Sequence, residues 1–242
     1  MFSLPAGTQA LLWINVLVYL AESQLDVRLD DQLTQWCALW PLGAARLGLP
    51  DFYPWQLFTY SFLHAGGAHL FFNMFGLAMF GGDVERAWGT RRFLIYYFTC
   101  VMAAGVSQLL YAWITGSGNF TVGASGGVYG ILLAFALVFP RRRLVLLLLP
   151  TALSFALLYF EPDLLLYVLP PLLALAILFP RSPLTRLLLP VPIAAWVMVT
   201  FYGLIELLMG VTGTMAGTAH FAHLGGMLGG WLLLQYGARH SE

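Results

Sequence analysis

The stretch that decides the fold is residues 93–140, FLIYYFTCVMAAGVSQLLYAWITGSGNFTVGASGGVYGILLAFALVFP, which contains no Asp, Glu, Lys or Arg. A bilayer crossing takes roughly 20 apolar residues, so a run of this length holds two spans. Residues 52–82 form a second charge-free run just upstream. The whole chain is 60% hydrophobic and 9% charged with a mean hydropathy of +0.80, which is the composition of an integral membrane protein. Formal net charge is zero and lysine is absent, so no basic surface exists for nucleic acid.

Working outward, apolar runs bounded by charges or Gly-rich turns predict spans near 8–21, 68–82, 93–115, 124–139, 144–160, 164–180, 187–209 and 219–236. The expected fold is all-α, a polytopic membrane helix bundle of eight spans forming a single membrane domain over residues 1–242. Residues 10–21 lack a preceding basic region and read as a retained first span rather than a cleaved signal. Residues 22–67 form a long first loop with interfacial apolar stretches. Arg86, Arg91 and Arg92, then Arg141, Arg142 and Arg143, then Arg181 and Arg186, then Arg239 fall on one side of this scheme; only Arg28 and Arg46 fall opposite. Arginines collect in cytoplasmic loops, so both termini are expected in the cytoplasm and the 22–67 loop outside. Phe139-Pro140-Arg141 recurs as Phe179-Pro180-Arg181, which marks residues 141–180 as an inserted helical hairpin. Cys37 and Cys100 suit neither a disulfide framework nor a metal knuckle and read as spectators.

Polar side chains inside hydrocarbon are functional candidates by default. Three clusters qualify, each opening a helix at the extracytoplasmic face: Gly123-Ala124-Ser125-Gly126-Gly127-Val128-Tyr129-Gly130, His64 with His69 to Asn73, and His220-Phe221-Ala222-His223 followed by Gly225 and Gly226. A serine in the first turn of a helix has free N–H groups and the positive end of the helix dipole beside it, which suit an oxyanion. Its hydroxyl needs a base, and histidine fits that task. His223 is the expected base, with His220, one turn earlier, as the competitor expected to face water. Gly126 with Gly130, and Gly226 with Gly230, have the four-residue spacing that lets membrane helices approach closely. His69 and Asn73 share a helix face and could donate to one oxyanion. Tyr129 shares the face of Ser125 and could pack on the imidazole.

Gly123-Ala124-Ser125-Gly126 resembles the GxSG motif of rhomboid proteases, Ala222-His223 with Gly226 and Gly230 resembles their AHxxGxxxG, and His69 to Asn73 resembles their HxxxN. Residues 81–93 resemble the stretch after the family's second helix. The resemblance implies a six-helix rhomboid-like core to which the 141–180 hairpin is added. It implies Ser125 as nucleophile, His223 as general base, and His69, Asn73 and the Ser125 N–H as the oxyanion hole, a dyad without a catalytic aspartate. It implies membrane-protein substrates cut in or near a transmembrane segment, a multi-pass position in the lipid bilayer (the inner membrane for the bacterial type), and no cofactor or metal. The family often has Trp-Arg in the first loop, where this chain has Trp55-Gln56.

Two other functions compete. One is a non-catalytic rhomboid-like binding or chaperone protein, against which the joint presence of Ser125, His223, His69 and Asn73 argues. The other is a metal site or transporter built on His64, His69, His220 and His223, weakened by the absence of an HExxH pair and of an adjacent carboxylate in the sequence. Glu206, alone in its apolar run, is expected to reach the interface, and Asn15 to bond between helices.

Overall fold

The structure of the chain, a computed structural model, describes residues 4–146, 191–214 and 217–239. Helix α1 (Ala6–Glu22) buries Gly7, Thr8, Leu11 and Asn15 along one face and exposes Trp13, Leu17 and Leu20 on the other. Asn15 Nδ2 donates to the Leu11 carbonyl of its own helix at 2.7 Å, so the expected interhelical bond is replaced by a local one.

The 22–67 loop has structure of its own. Asp26 caps α2 (Val27–Cys37) by accepting from the Leu29 N–H at 2.9 Å. A 3-10 turn (Ala44–Leu47) and the short α3 (Gln56–Thr59) follow. Gln56 is fully buried and is the loop's tie point. Its Oε1 accepts from the N–H groups of Trp40 and Tyr53, both at 3.2 Å, and its Nε2 donates to the carbonyls of Gln35 at 3.1 Å and Trp36 at 3.4 Å. The position that departs from the Trp-Arg pattern thus carries an amide that joins four backbone groups.

Helix α4 (Gly67–Gly76), a π-helical stretch (Leu77–Gly81) and α5 (Gly82–Trp88) continue one another without leaving helical dihedrals. Glu85 of α5 holds the start of α1: it accepts from the Gly7 and Thr8 N–H groups at 2.7 and 2.6 Å, the Thr8 hydroxyl at 2.7 Å and the Thr90 hydroxyl at 2.7 Å. Next come α6 (Thr90–Thr115) and α7 (Ser125–Val138). The remaining described elements are strands β1 (Arg143–Leu146) and β2 (Val191–Ala194) and helices α8 (Ala195–Thr212) and α9 (His220–Arg239).

The chain divides into two compact units, Phe139–Met198 and the remainder. In the first of these, β1 and β2 pair antiparallel, Leu144 opposite Ile193 and Val145 opposite Pro192. Helices were expected to begin at 144 and 187. The β-branched Val145, Val191 and Ile193 favour strand, and Pro192 disfavours helix at Val191. A two-stranded ribbon has only edge strands, where proline is tolerated. The rest of the expected 141–180 hairpin lies outside the described residues.

In the larger unit α9 packs against α6 and α7, and α6 packs against α7. Beside its apolar core this bundle buries several polar groups and exposes large apolar side chains. Asn15, Glu85, Glu206, His220 and His223 are buried, whereas Phe71, Phe72, Trp113, Ile114, Leu204 and Leu208 are each 60% or more exposed. Apolar surface on that scale is what lipid covers. Among the described residues two helices are long and apolar enough to cross a membrane by themselves, Thr90–Thr115 and Ala195–Thr212. The eight-span expectation is therefore met at the coarser level of a mostly helical, membrane-associated fold. Helix α7 has 14 residues, about 21 Å against a hydrocarbon thickness of about 30 Å. Helix α9 opens with two histidines that lower its hydropathy.

Candidate active site

Ser125 is the first residue of α7, where backbone N–H groups have no helical partner. Gly123 approaches it with φ 123°, a conformation that side-chain-bearing residues rarely adopt, and its N–H donates to the Tyr60 carbonyl at 2.9 Å. A Cβ on Gly123 would also stand 2.6 and 2.7 Å from Cε1 and Nε2 of His69 and 3.7 Å from Nδ2 of Asn73. His69 and Asn73 thus border the turn that leads into Ser125. Asn73 Nδ2 is buried and has no hydrogen-bond partner among the described residues. His64 lies edge-on to His69, with ring centroids 5.1 Å apart. Burial, and then the neighbouring His69, push the His64 pKa down to about 4 against the opposing hydrogen bond to the Phe62 carbonyl.

Helix α9 brings His223 to Ser125, with Nε2 2.8 Å from Oγ. The approach depends on Gly226, whose position leaves no room for a Cβ against the carbonyl of Gly126. Gly230, expected to serve the same seam, faces Tyr96 and Cys100 of α6 instead, and Gly130 faces Cys100 and the Gly226 carbonyl. Tyr129 stacks on the His223 ring with centroids 4.2 Å apart and planes 6° from parallel.

Two expectations are corrected here. His220 does not face water: it is buried, its Nδ1 lies 2.6 Å from Glu206 Oε2, and its Nε2 lies 3.2 Å from the Thr214 carbonyl. With oxygen acceptors at both ring nitrogens, His220 has no lone pair directed at Ser125. Glu206 does not reach an interface: it is 6% exposed, accepts a hydrogen bond from the Tyr129 hydroxyl at Oε1, and places Oε2 3.0 Å from His223 Nδ1. The carboxylate absent from the sequence around the histidines is therefore present in space. Of the four histidines, His64 lies edge-on to His69 and His220 lies edge-on to His223. Ligand atoms of Glu206, His220 and His223 lie within 4.8 Å of one another.

Compared with known families, the chain matches the Rhomboid domain over residues 51–177, just over half its length. The chain belongs to the rhomboid family and is an intramembrane protein with a multi-helix core. The match includes His69, Asn73 and Ser125 and ends before α8 and α9. Rhomboid protease GluP of Bacillus subtilis is 40% identical over 78 residues, 32% of this chain and 14% of that protein. Rhomboid protease GlpG of Haemophilus influenzae is 30% identical over 78 residues, 32% of this chain and 38% of that protein. Rhomboid protease GlpG of Salmonella choleraesuis is 29% identical over 117 residues, 48% of this chain and 38% of that protein. The chain thus matches less than half the length of each of these relatives.

Proposed function

We propose that this protein is an intramembrane serine endopeptidase in which Ser125 attacks the scissile carbonyl and His223 is the general base. The observation that carries the reading is the 2.8 Å contact between His223 Nε2 and Ser125 Oγ, made across two helices and at the N-terminus of α7. The Ser125 proton passes to Nε2 as Oγ bonds to the carbonyl carbon, and His223 then delivers it to the departing amine. Water hydrolyses the resulting acyl-enzyme with His223 again as base. The oxyanion is received by the Ser125 N–H, by Asn73 Nδ2, which has no other partner among the described residues, and by His69. Helix α7 falls short of the hydrocarbon thickness by roughly 10 Å, so with its C-terminal end near the cytoplasmic arginines Ser125 lies below the opposite surface. Substrates are membrane proteins with a transmembrane segment that unwinds there, and water enters from the extracytoplasmic side. Both termini face the cytoplasm in this reading.

A second reading is favoured by the Glu206, His220 and His223 cluster, a donor set suited to zinc. The donors fit poorly as they stand. His220 Nδ1 and Glu206 Oε2 are 2.6 Å apart, a hydrogen-bond distance, whereas two ligands on one tetrahedral zinc stand roughly 3.3 Å apart. One experiment separates the readings: fluorophosphonate labelling and cleavage of a single-span test substrate in detergent, for wild type and Ser125→Ala, with and without EDTA. Labelling and cleavage that need Ser125 and survive EDTA are expected. Metal-dependent activity that survives Ser125→Ala establishes the second reading, and a protein that neither labels nor cuts is a non-catalytic binder.

A further inference from the structure

Glu206 is the only acidic residue of α8, and a buried carboxylate in a helix with this apolar character calls for a function. Three side chains converge on it. The Tyr129 hydroxyl donates to Oε1, His220 Nδ1 lies 2.6 Å from Oε2, and His223 Nδ1 lies 3.0 Å from the same oxygen. A carboxylate has about four acceptor sites, so a third donor can be accommodated.

The orientation of His223 gives the contact its meaning. One ring nitrogen faces Ser125 and the other faces Glu206. For Nε2 to accept the serine proton it must be bare, and the ring's own proton must then sit on Nδ1. That atom is buried and, Glu206 apart, has no partner among the described residues. The 3.0 Å separation is within range but off hydrogen-bond direction, the usual condition of catalytic contacts that tighten as charge develops.

We infer that Glu206 is a positioning residue of the reaction: it holds His223 in the Nδ1–H tautomer and balances the imidazolium that forms as Ser125 attacks. The inference rests on the serine protease reading. Glu206 exchanges no proton; the proton travels from Ser125 Oγ to His223 Nε2 and on to the leaving amine. Tyr129 serves the arrangement twice, stacking on the imidazole while its hydroxyl fixes the carboxylate. His220 fixes the other oxygen. The family resemblance implies an isolated dyad, and the geometry points to a nucleophile, base and acid in line.

Steady-state cleavage of a single-span substrate by the full chain in detergent tests this with Glu206→Gln, Glu206→Asp and Tyr129→Phe. In Glu206→Gln, kcat falls about 100- to 10,000-fold with KM nearly unchanged, the scale of losing the acid behind a catalytic histidine. Glu206→Asp, which keeps the charge, recovers about tenfold or more of that loss. If Glu206→Gln fails to fold, Tyr129→Phe carries the test: the stacked ring remains, the hydroxyl is lost, and kcat is expected to fall about three- to thirty-fold. A folded Glu206→Gln with wild-type kcat, an aspartate no better than glutamine, or an unaltered Tyr129→Phe when glutamine does not fold overturns the inference alone. A wild type without Ser125-dependent cleavage overturns the protease reading and this inference with it.

Discussion

Replacing Gly226 by alanine tests whether the nucleophile and base are held together by backbone contact. The added Cβ would stand 2.8 Å from the carbonyl carbon of Gly126, 3.1 Å from its Cα, and closer still to its oxygen. The three nearest atoms are all main chain of Gly126, so no side-chain rotation relieves the clash. Helices α7 and α9 must separate by about 1 Å, because close-packed interiors have no slack to absorb a methyl group. One turn away, the 2.8 Å contact between His223 and Ser125 then opens to about 4 Å, outside hydrogen-bond range. A misplacement of about 1 Å is worth on the order of 100-fold in rate, and overpacking of this kind removes about 1–3 kcal/mol of stability. The assay is substrate cleavage and fluorophosphonate labelling beside a thermal unfolding curve. Gly237→Ala, on the same helix with nothing among the described residues within 4 Å of its added Cβ, is the control and should behave as wild type. A Gly226→Ala protein that labels and cuts within about threefold of wild type would refute the reasoning.

Asn73→Ala should lower turnover about 10- to 1,000-fold with little change in KM, the effect of losing one oxyanion donor; an unchanged kcat removes Asn73 from that role. Gln56→Ala strands two N–H groups and two carbonyls in the first loop and should destabilise the fold by about 1–3 kcal/mol or more, measured as a drop in Tm, whereas an unchanged Tm would show that the loop is held elsewhere. Burial acts to raise the Glu85 pKa, but donors from Thr8, Thr90 and Gly7 outweigh it and hold the carboxyl below its ordinary value. A carboxyl depressed in the folded state contributes stability above its unfolded pKa and loses it as pH falls through the folded one. Unfolding curves of Glu85→Gln should therefore show a flatter acid limb than wild type, and parallel limbs would contradict this.

The parts of the site legible in the sequence were those set by local periodicity. Tyr129 lies four residues after Ser125, so one helix face presents both, and the ring does stack on His223. Gly126 and Gly226 were readable as contact points because small residues at a membrane helix interface have few other uses. The acid was not legible, since no spacing relates Glu206 on α8 to His223 on α9. A signal was nevertheless present: Glu206 is the lone charge in its run, and His220 lies three residues from His223, so both histidines face broadly one way. The strands at 143–146 and 191–194 were hidden by composition, because leucine and valine read equally as span or strand until the prolines are weighed.

Helix α6 contributes no group to the proposed chemistry, yet it sets the geometry. Cys100, Ala103, Ala104 and Ser107 form a stripe of small residues on it at helical spacing. Gly126 of α7 meets Ala104, Gly130 meets Cys100, Gly229 of α9 meets Ala103, and Gly225 meets Ser107. Cys100, read from the sequence as a spectator, packs between the glycines of two helices, where a larger residue would part them. Helices α7 and α9 are thus seated on one template, and their mutual register follows from how each meets α6. Tyr96 adds a directional element, its hydroxyl donating to the Gly130 carbonyl at 2.9 Å. A hydrogen bond between two helices is sensitive to tenths of an ångström, and in a bilayer no hydrophobic force presses helices together. The interlocking of small residues on α6 supplies the precision that brings His223 to Ser125.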